Sequence, residues 1–98
     1  MQIKGVTESE LKIINSILEQ FKDKYEFFIY GSRVKGNFRF LSDLDMMIKG
    51  AELADLGDIE ILKENFDNSS LSYIVNIVDY FNLSEDFYNL IKNDLLKL

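Results

Sequence analysis

The stretch from Gly31 to Asp45, GSRVKGNFRFLSDLD, constrains this chain more than any other. It calls for a tight turn at Gly31–Ser32 directly after an aromatic, β-prone run. It also calls for a strand beginning at Asp43, in which residues two apart face the same side. Asp43 and Asp45 then project together while Leu44 faces the core. A Gly-Ser turn that opens onto a helix offers backbone N–H groups, a hydroxyl and the positive end of the helix dipole to phosphate oxygens. Paired carboxylates form a hard oxygen site suited to magnesium. The combination points to a nucleoside triphosphate and its metals.

Around this stretch the hydrophobic pattern alternates between helical and strand periods. Thr7 and Glu10 have capping-box spacing, and Leu11, Ile14, Ile17, Leu18 and Phe21 predict a first helix over Glu8–Lys22. Glu26–Tyr30 is short, aromatic and stopped by Gly31, as a buried strand is. Ser32–Lys35 then makes the first turn of a short helix and Gly36–Leu41 a loop. Asp43–Ile48 forms a second strand, antiparallel to the first. Leu56, Ile59, Leu62 and Phe66 mark a helix between Glu52 and Phe66, ended by the Asn68–Ser70 cluster. Tyr73–Phe81 reads as a third strand, with Tyr73, Val75, Ile77 and Asp79 on one face and Ile74, Asn76 and Val78 on the other. Ser84 caps a last helix whose apolar stripe is Phe87, Leu90, Ile91, Leu95 and Leu98. The expected fold is α/β of the α+β kind: a three-stranded mixed sheet, helices mainly on one side, the acidic site on the open face, and a single domain over residues 1–98.

Composition narrows the chemistry. With neither Cys nor His, disulfides, thiolate zinc sites, cysteine nucleophiles and histidine bases are excluded. Carboxylates, hydroxyls and amines remain. A net charge of −6 disfavours sequence-independent binding to a long nucleic acid. No signal-peptide pattern and no apolar run of membrane-spanning length occurs, so a cytoplasmic location is expected. Tyr80, Phe81, Phe38 and Phe40 exceed what loops and strand ends near a solvated site normally carry, and contact with a second copy or a partner is expected to cover some of them.

Asp79 ends a strand whose inward-facing neighbours are apolar, which is how a third metal-binding carboxylate would stand out. Asp43, Asp45 and Asp79 could then hold two magnesium ions, and Asp79 could relay the proton of an attacking hydroxyl. Arg33 and Lys35 follow the turn and could meet phosphate oxygens. Each residue has a plainer reading. Asp79 can be an ordinary strand-end acid, Ser42 a turn residue, Asp43 an Asx-turn, and Arg33 with Lys35 a solvated face. Their joint occurrence, in order, favours the functional reading.

Taken together, the residues resemble the nucleotidyltransferase superfamily that includes DNA polymerase beta, most closely its minimal nucleotidyltransferase (MNT) branch. Gly31, Ser32, Lys35, Gly36, Ser42, Asp43 and Asp45 match that signature in register, and Asp79 is taken as its third carboxylate. The resemblance implies a nucleotidyltransferase fold and transfer of a nucleoside monophosphate, AMP from ATP, to a hydroxyl with release of pyrophosphate. In that scheme Gly31 and Ser32 hold the triphosphate, with Arg33, Lys35 and Ser42 beside it, while Asp43, Asp45 and Asp79 bind two Mg2+. Lys35 stands where many members have Arg, and Phe40 and Leu41 stand where polar residues or Pro are common. Minimal nucleotidyltransferases are typically encoded beside a helical HEPN-type protein. The implied acceptor is a tyrosine of that partner, with this chain as antitoxin. Competing expectations are transfer to a small molecule such as an aminoglycoside, contact-only antitoxin action, and nucleotide binding without transfer.

Overall fold

Residues 2–98 are described by a computed structural model of the chain. Helix α1 (Glu8–Leu18) starts where the sequence places it, because Thr7 Oγ1 accepts from Glu10 N while Glu10 Oε1 accepts from Thr7 N. The chain tightens into a 3-10 turn at Glu19–Phe21 and enters β1 (Glu26–Tyr30). After the short helix α2 (Ser32–Lys35) and a loop comes β2 (Leu44–Lys49). Helix α3 (Leu56–Asp67) is capped by Asp55, whose carboxylate accepts from Gly57 N and Asp58 N. Strand β3 (Val75–Asp79), a 3-10 turn at Tyr80–Asn82, helix α4 (Glu85–Ile91) and the two-residue β4 (Leu96–Lys97) complete the order.

The sheet runs β3-β2-β1-β4, with β1 antiparallel to both β2 and β4 and β2 parallel to β3. This is the mixed sheet expected, extended by one strand. The last helix was expected to continue through Leu95 and Leu98; it ends at Ile91 instead. The following residues turn back, and Leu96–Lys97 pairs with Phe28 and Ile29. The strand alternative wins because it gives the otherwise open edge of β1 a partner, including Leu98 N donating to Phe27 O at 2.9 Å.

One face of the sheet packs Phe27, Ile29, Leu44, Met46 and Ile48 against Ile14 and Leu18 of α1 and Leu62 and Phe66 of α3. The opposite face is not left open. Tyr30 and Met47 pack with Ile91 of α4, joined by Phe28, Val78, Tyr88 and Leu95. Of the surplus aromatics, Tyr80 stacks edge-on with Phe81 and Tyr88, and Phe38 lies against Arg33. Phe40 is 76% exposed and Phe81 46%.

Arg33 is the polar residue that organises this frame. It is almost fully buried, and its guanidinium donates through Nε to Ser42 O at 2.6 Å, through one terminal nitrogen to Gly5 O at 2.7 Å, and through the other to Phe40 O. Its Cζ lies 3.7 Å from the centroid of the Tyr73 ring. Burial first, and then the Glu10 charge, push the Tyr73 phenol up to about 12, so it stays neutral beneath the cation. One side chain thus ties the N-terminal turn, the loop before β2 and the approach to β3 onto α2. Arg33→Lys keeps the charge but cannot reproduce the fork. We expect it to lower the free energy of unfolding by about 3 kcal/mol in urea titration, through orphaned carbonyls. If Arg33 served phosphate instead, the fold would be untouched and only the nucleotide KM would rise.

Candidate active site

The antiparallel ladder of β1 and β2 sets Tyr30 opposite Asp45, so the turn leaving β1 passes directly beside the Asp45 carboxylate. Gly31 has φ +87°, and a Cβ placed on it would lie 2.3 Å from Asp45 Oδ2. Both the conformation and the space require glycine here. Val34 N and Lys35 N donate to Gly31 O at 3.1 and 3.0 Å, so α2 springs straight from the turn with Ser32 as its first residue. The Gly-Ser turn and the Asp-x-Asp strand are therefore side by side.

Asp43 is exposed, Asp45 half-buried. Burial raises the Asp45 carboxyl above the usual carboxylate range, the nearby Asn76 amide opposes this, and the Asp43 charge adds to it. Opposite Asp45, the Tyr30 phenol is likewise held above its ordinary range, by burial first and then by the Asp45 charge. On the neighbouring strand Asn76 is level with Asp45, and its Nδ2 donates to Asp43 Oδ2 at 2.8 Å. A groove of about 580 Å³ runs along the unpaired edge of β3, lined by Asp45, Asn76, Val78 and Ile74 with Lys63 and Asp67 of α3. Neither Tyr30 nor Asn76 stood out in the sequence.

Asp79 does not join this cluster, contrary to expectation. Its partner on β2 is Ile48, three pairs beyond Asp45, a displacement of roughly 10 Å along the strand. It also belongs to the face of Val75 and Ile77, which packs toward α1 and α3. There, buried, its carboxylate accepts from Ala54 N at 2.7 Å and Phe81 N at 2.9 Å. It ties the end of β3 to the segment before α3 and caps the 3-10 turn. Among the described residues no three acidic side chains form a metal-holding group, so the three-carboxylate, two-ion arrangement is not assembled.

The basic and hydroxyl residues divide in the same way. Arg33 commits all three of its nitrogens to backbone carbonyls and is almost fully buried, so it is not presented to a phosphate. Ser42 closes a turn, its hydroxyl accepting from Arg39 N at 2.8 Å. Lys35 is exposed and pairs with Asp94 at 3.2 Å, a surface contact weak enough to be exchanged for an anion. Asp43 and Asp45, with Gly31 and Ser32 beside them, are the groups that can face a polyphosphate and its cation.

The profile of the family described as nucleotidyltransferase domain matches residues 11–97. This chain belongs to the nucleotidyltransferase family, in its minimal branch. A Haemophilus influenzae protein named as a probable protein adenylyltransferase, MntA, is 38% identical over 87 residues, covering 89% of this chain and 76% of that protein. Among solved structures, the spectinomycin adenyltransferase AAD(9) of Enterococcus faecialis, with ATP and spectinomycin, is similar at 25% identity and TM-score 0.53. The match covers 74% of this chain and spans about a third (34%) of that one. A Sulfolobus solfataricus structure described as a candidate nucleotidyltransferase shares the fold at TM-score 0.50 and 21% identity, over 89% of this chain and 77% of its own. Within this nucleotidyltransferase, no helix among the described residues is long and apolar enough to cross a membrane.

The raised Asp45 pKa makes the stability of the fold depend on pH. A carboxyl whose folded pKa exceeds its unfolded value adds stability only while protonated, below the unfolded pKa. That contribution is lost as pH rises through the folded pKa, so at neutral pH the ionised group opposes folding. Asp45→Asn should therefore raise the free energy of unfolding, by on the order of 0.5 kcal/mol in this half-exposed, screened position. Urea titration at neutral pH reads the gain, which should vanish at acidic pH where the wild-type carboxyl is protonated.

Proposed function

We propose that this chain transfers AMP from ATP to a hydroxyl, releasing pyrophosphate, and that the acceptor is a tyrosine of a helical HEPN-type partner which it thereby neutralises as an antitoxin. The observation that supports the reading is the close approach of Asp45 to Gly31, where any Cβ would collide with the carboxylate, so that the Gly-Ser turn lies beside the second acid of the Asp-x-Asp sequence. Gly31 and Ser32 hold the triphosphate through backbone N–H groups and the serine hydroxyl. Lys35, released from Asp94, offers its ammonium to a terminal phosphate. Asp43 and Asp45 would hold a magnesium ion, which when bound would supply charge compensation for the phosphates. The groove along β3 lets an acceptor hydroxyl approach from the side of Asp45. Protein adenylylation is supported by the name of the Haemophilus relative, and ATP as donor by the ATP-bound Enterococcus structure. Most of that Enterococcus chain lies outside the shared part, which leaves the small-molecule acceptor with less support here.

One observation favours a second reading, antitoxin action by contact alone: the third carboxylate is missing from the site. The two separate in one experiment. Purified chain, Mg2+, ATP labelled at the α-phosphate and the partner should give label on a partner tyrosine. Asp43→Ala and Asp45→Ala should abolish labelling, by about 100-fold or more, while complex formation survives. Full neutralisation of the partner by both variants supports contact alone, and no transfer from any of the four nucleotides contradicts the enzymatic reading.

A further inference from the structure

We infer that Asn76 is a positioning residue that reduces this site to a single divalent cation. The inference rests on the nucleotidyl-transfer reading of the same site and refines it. In the parallel β2–β3 ladder the residue beside Asp45 is Asn76, and alternation puts it on the face that carries Asp43 and Asp45. It is the position on β3 from which a side chain reaches that pair, as the 2.8 Å bond from Asn76 Nδ2 to Asp43 Oδ2 demonstrates. Asp79, the acid nearby in sequence, lies on the other face with both carboxylate oxygens occupied by backbone donors.

An amide at this position differs from a carboxylate in two ways. It is neutral, so a second divalent ion would meet two negative side chains instead of three. It is also oriented: an ionised carboxylate only accepts, so the group turned toward Asp43 must be the amide NH2. The donor that would compete for Asp43 is thus a neutral N–H in the place where a further cation would need an oxygen. Asn76 holds Asp43 in a fixed rotamer for the one ion that arrives with the triphosphate. The Asn76→Asp change needs no backbone shift, since the two side chains are nearly isosteric and the position is exposed.

The test uses Mn2+ as probe, counted by electron paramagnetic resonance on the full chain with and without a non-hydrolysable ATP analogue. Wild type should bind one Mn2+ per chain, dependent on the nucleotide. Asn76→Asp should bind two, while Asn76→Ala, which removes the amide without adding charge, should remain at one with weaker affinity as Asp43 loses its anchor. Two ions in the wild type overturn the inference, whatever the variants do. So does a folded Asn76→Asp protein that stays at one. A wild type that binds no nucleotide overturns the nucleotidyl-transfer reading and this inference with it, whereas nucleotide bound together with two ions overturns this inference only.

Discussion

The buried guanidinium of Arg33 is the interaction on which the rest of the site depends. A charge in a small core is tolerated only when its donors are matched, and here three backbone carbonyls and an aromatic ring do the matching. Two of those carbonyls, at Phe40 and Ser42, belong to the loop that delivers Asp43. The third, at Gly5, belongs to the N-terminal turn, whose Gly5 N in turn donates to Arg33 O at 2.8 Å. Closing the loop onto α2 fixes where β2 begins, and with it which residues of the Asp-x-Asp sequence come to lie beside the Gly31 turn. A substitution at Arg33 would be felt at the site through geometry, without Arg33 touching substrate.

The proposed site lies where the fold gives up some stability. Asp45 is half-buried against Tyr30 and Met47 on the α4 face, in contact range of the Gly31 backbone, and its ionisation opposes folding. Gly31 accepts a positive-φ conformation so that its backbone can pass beside Asp45, where a side chain would collide with the carboxylate. Asp79 shows the opposite case. It is a buried carboxylate satisfied by two backbone donors, and its work is to hold β3 to the segment leading into α3.

Much of this was legible in the chain. The Thr7 capping box, the aromatic strand halted by Gly31, the Asp-x-Asp strand and its antiparallel pairing all appear as the local pattern dictates, because each rests on neighbours close in sequence. The expected third acid failed for a reason that the same pattern contained. Asp79 alternates with Val75 and Ile77, the apolar face, whereas Asn76 alternates with Ile74 and Val78. A residue meant to meet Asp45 from a neighbouring strand must share its face, and alternation alone excludes Asp79 once the apolar face is assigned to the core. What alternation could not supply was the register that sets Asn76 level with Asp45, which is a tertiary fact. Arg33 was misread for a different cause: beside a phosphate turn a guanidinium suggests an anion, and nothing local announces the carbonyls of Gly5 and Phe40. The return of Leu96–Lys97 as a strand was hidden because the same leucines also fit a helical stripe.

The central claim is that the carboxylate pair and the adjoining turn act together on one ligand, a metal–triphosphate complex. Calorimetric titration of ATP into the chain, with Mg2+ and with EDTA, tests it most directly. The account predicts binding that requires the metal in the wild type and is lost in Asp45→Asn although that variant is fully folded. Metal-independent binding, or binding unchanged by the Asp45 substitution, would contradict it.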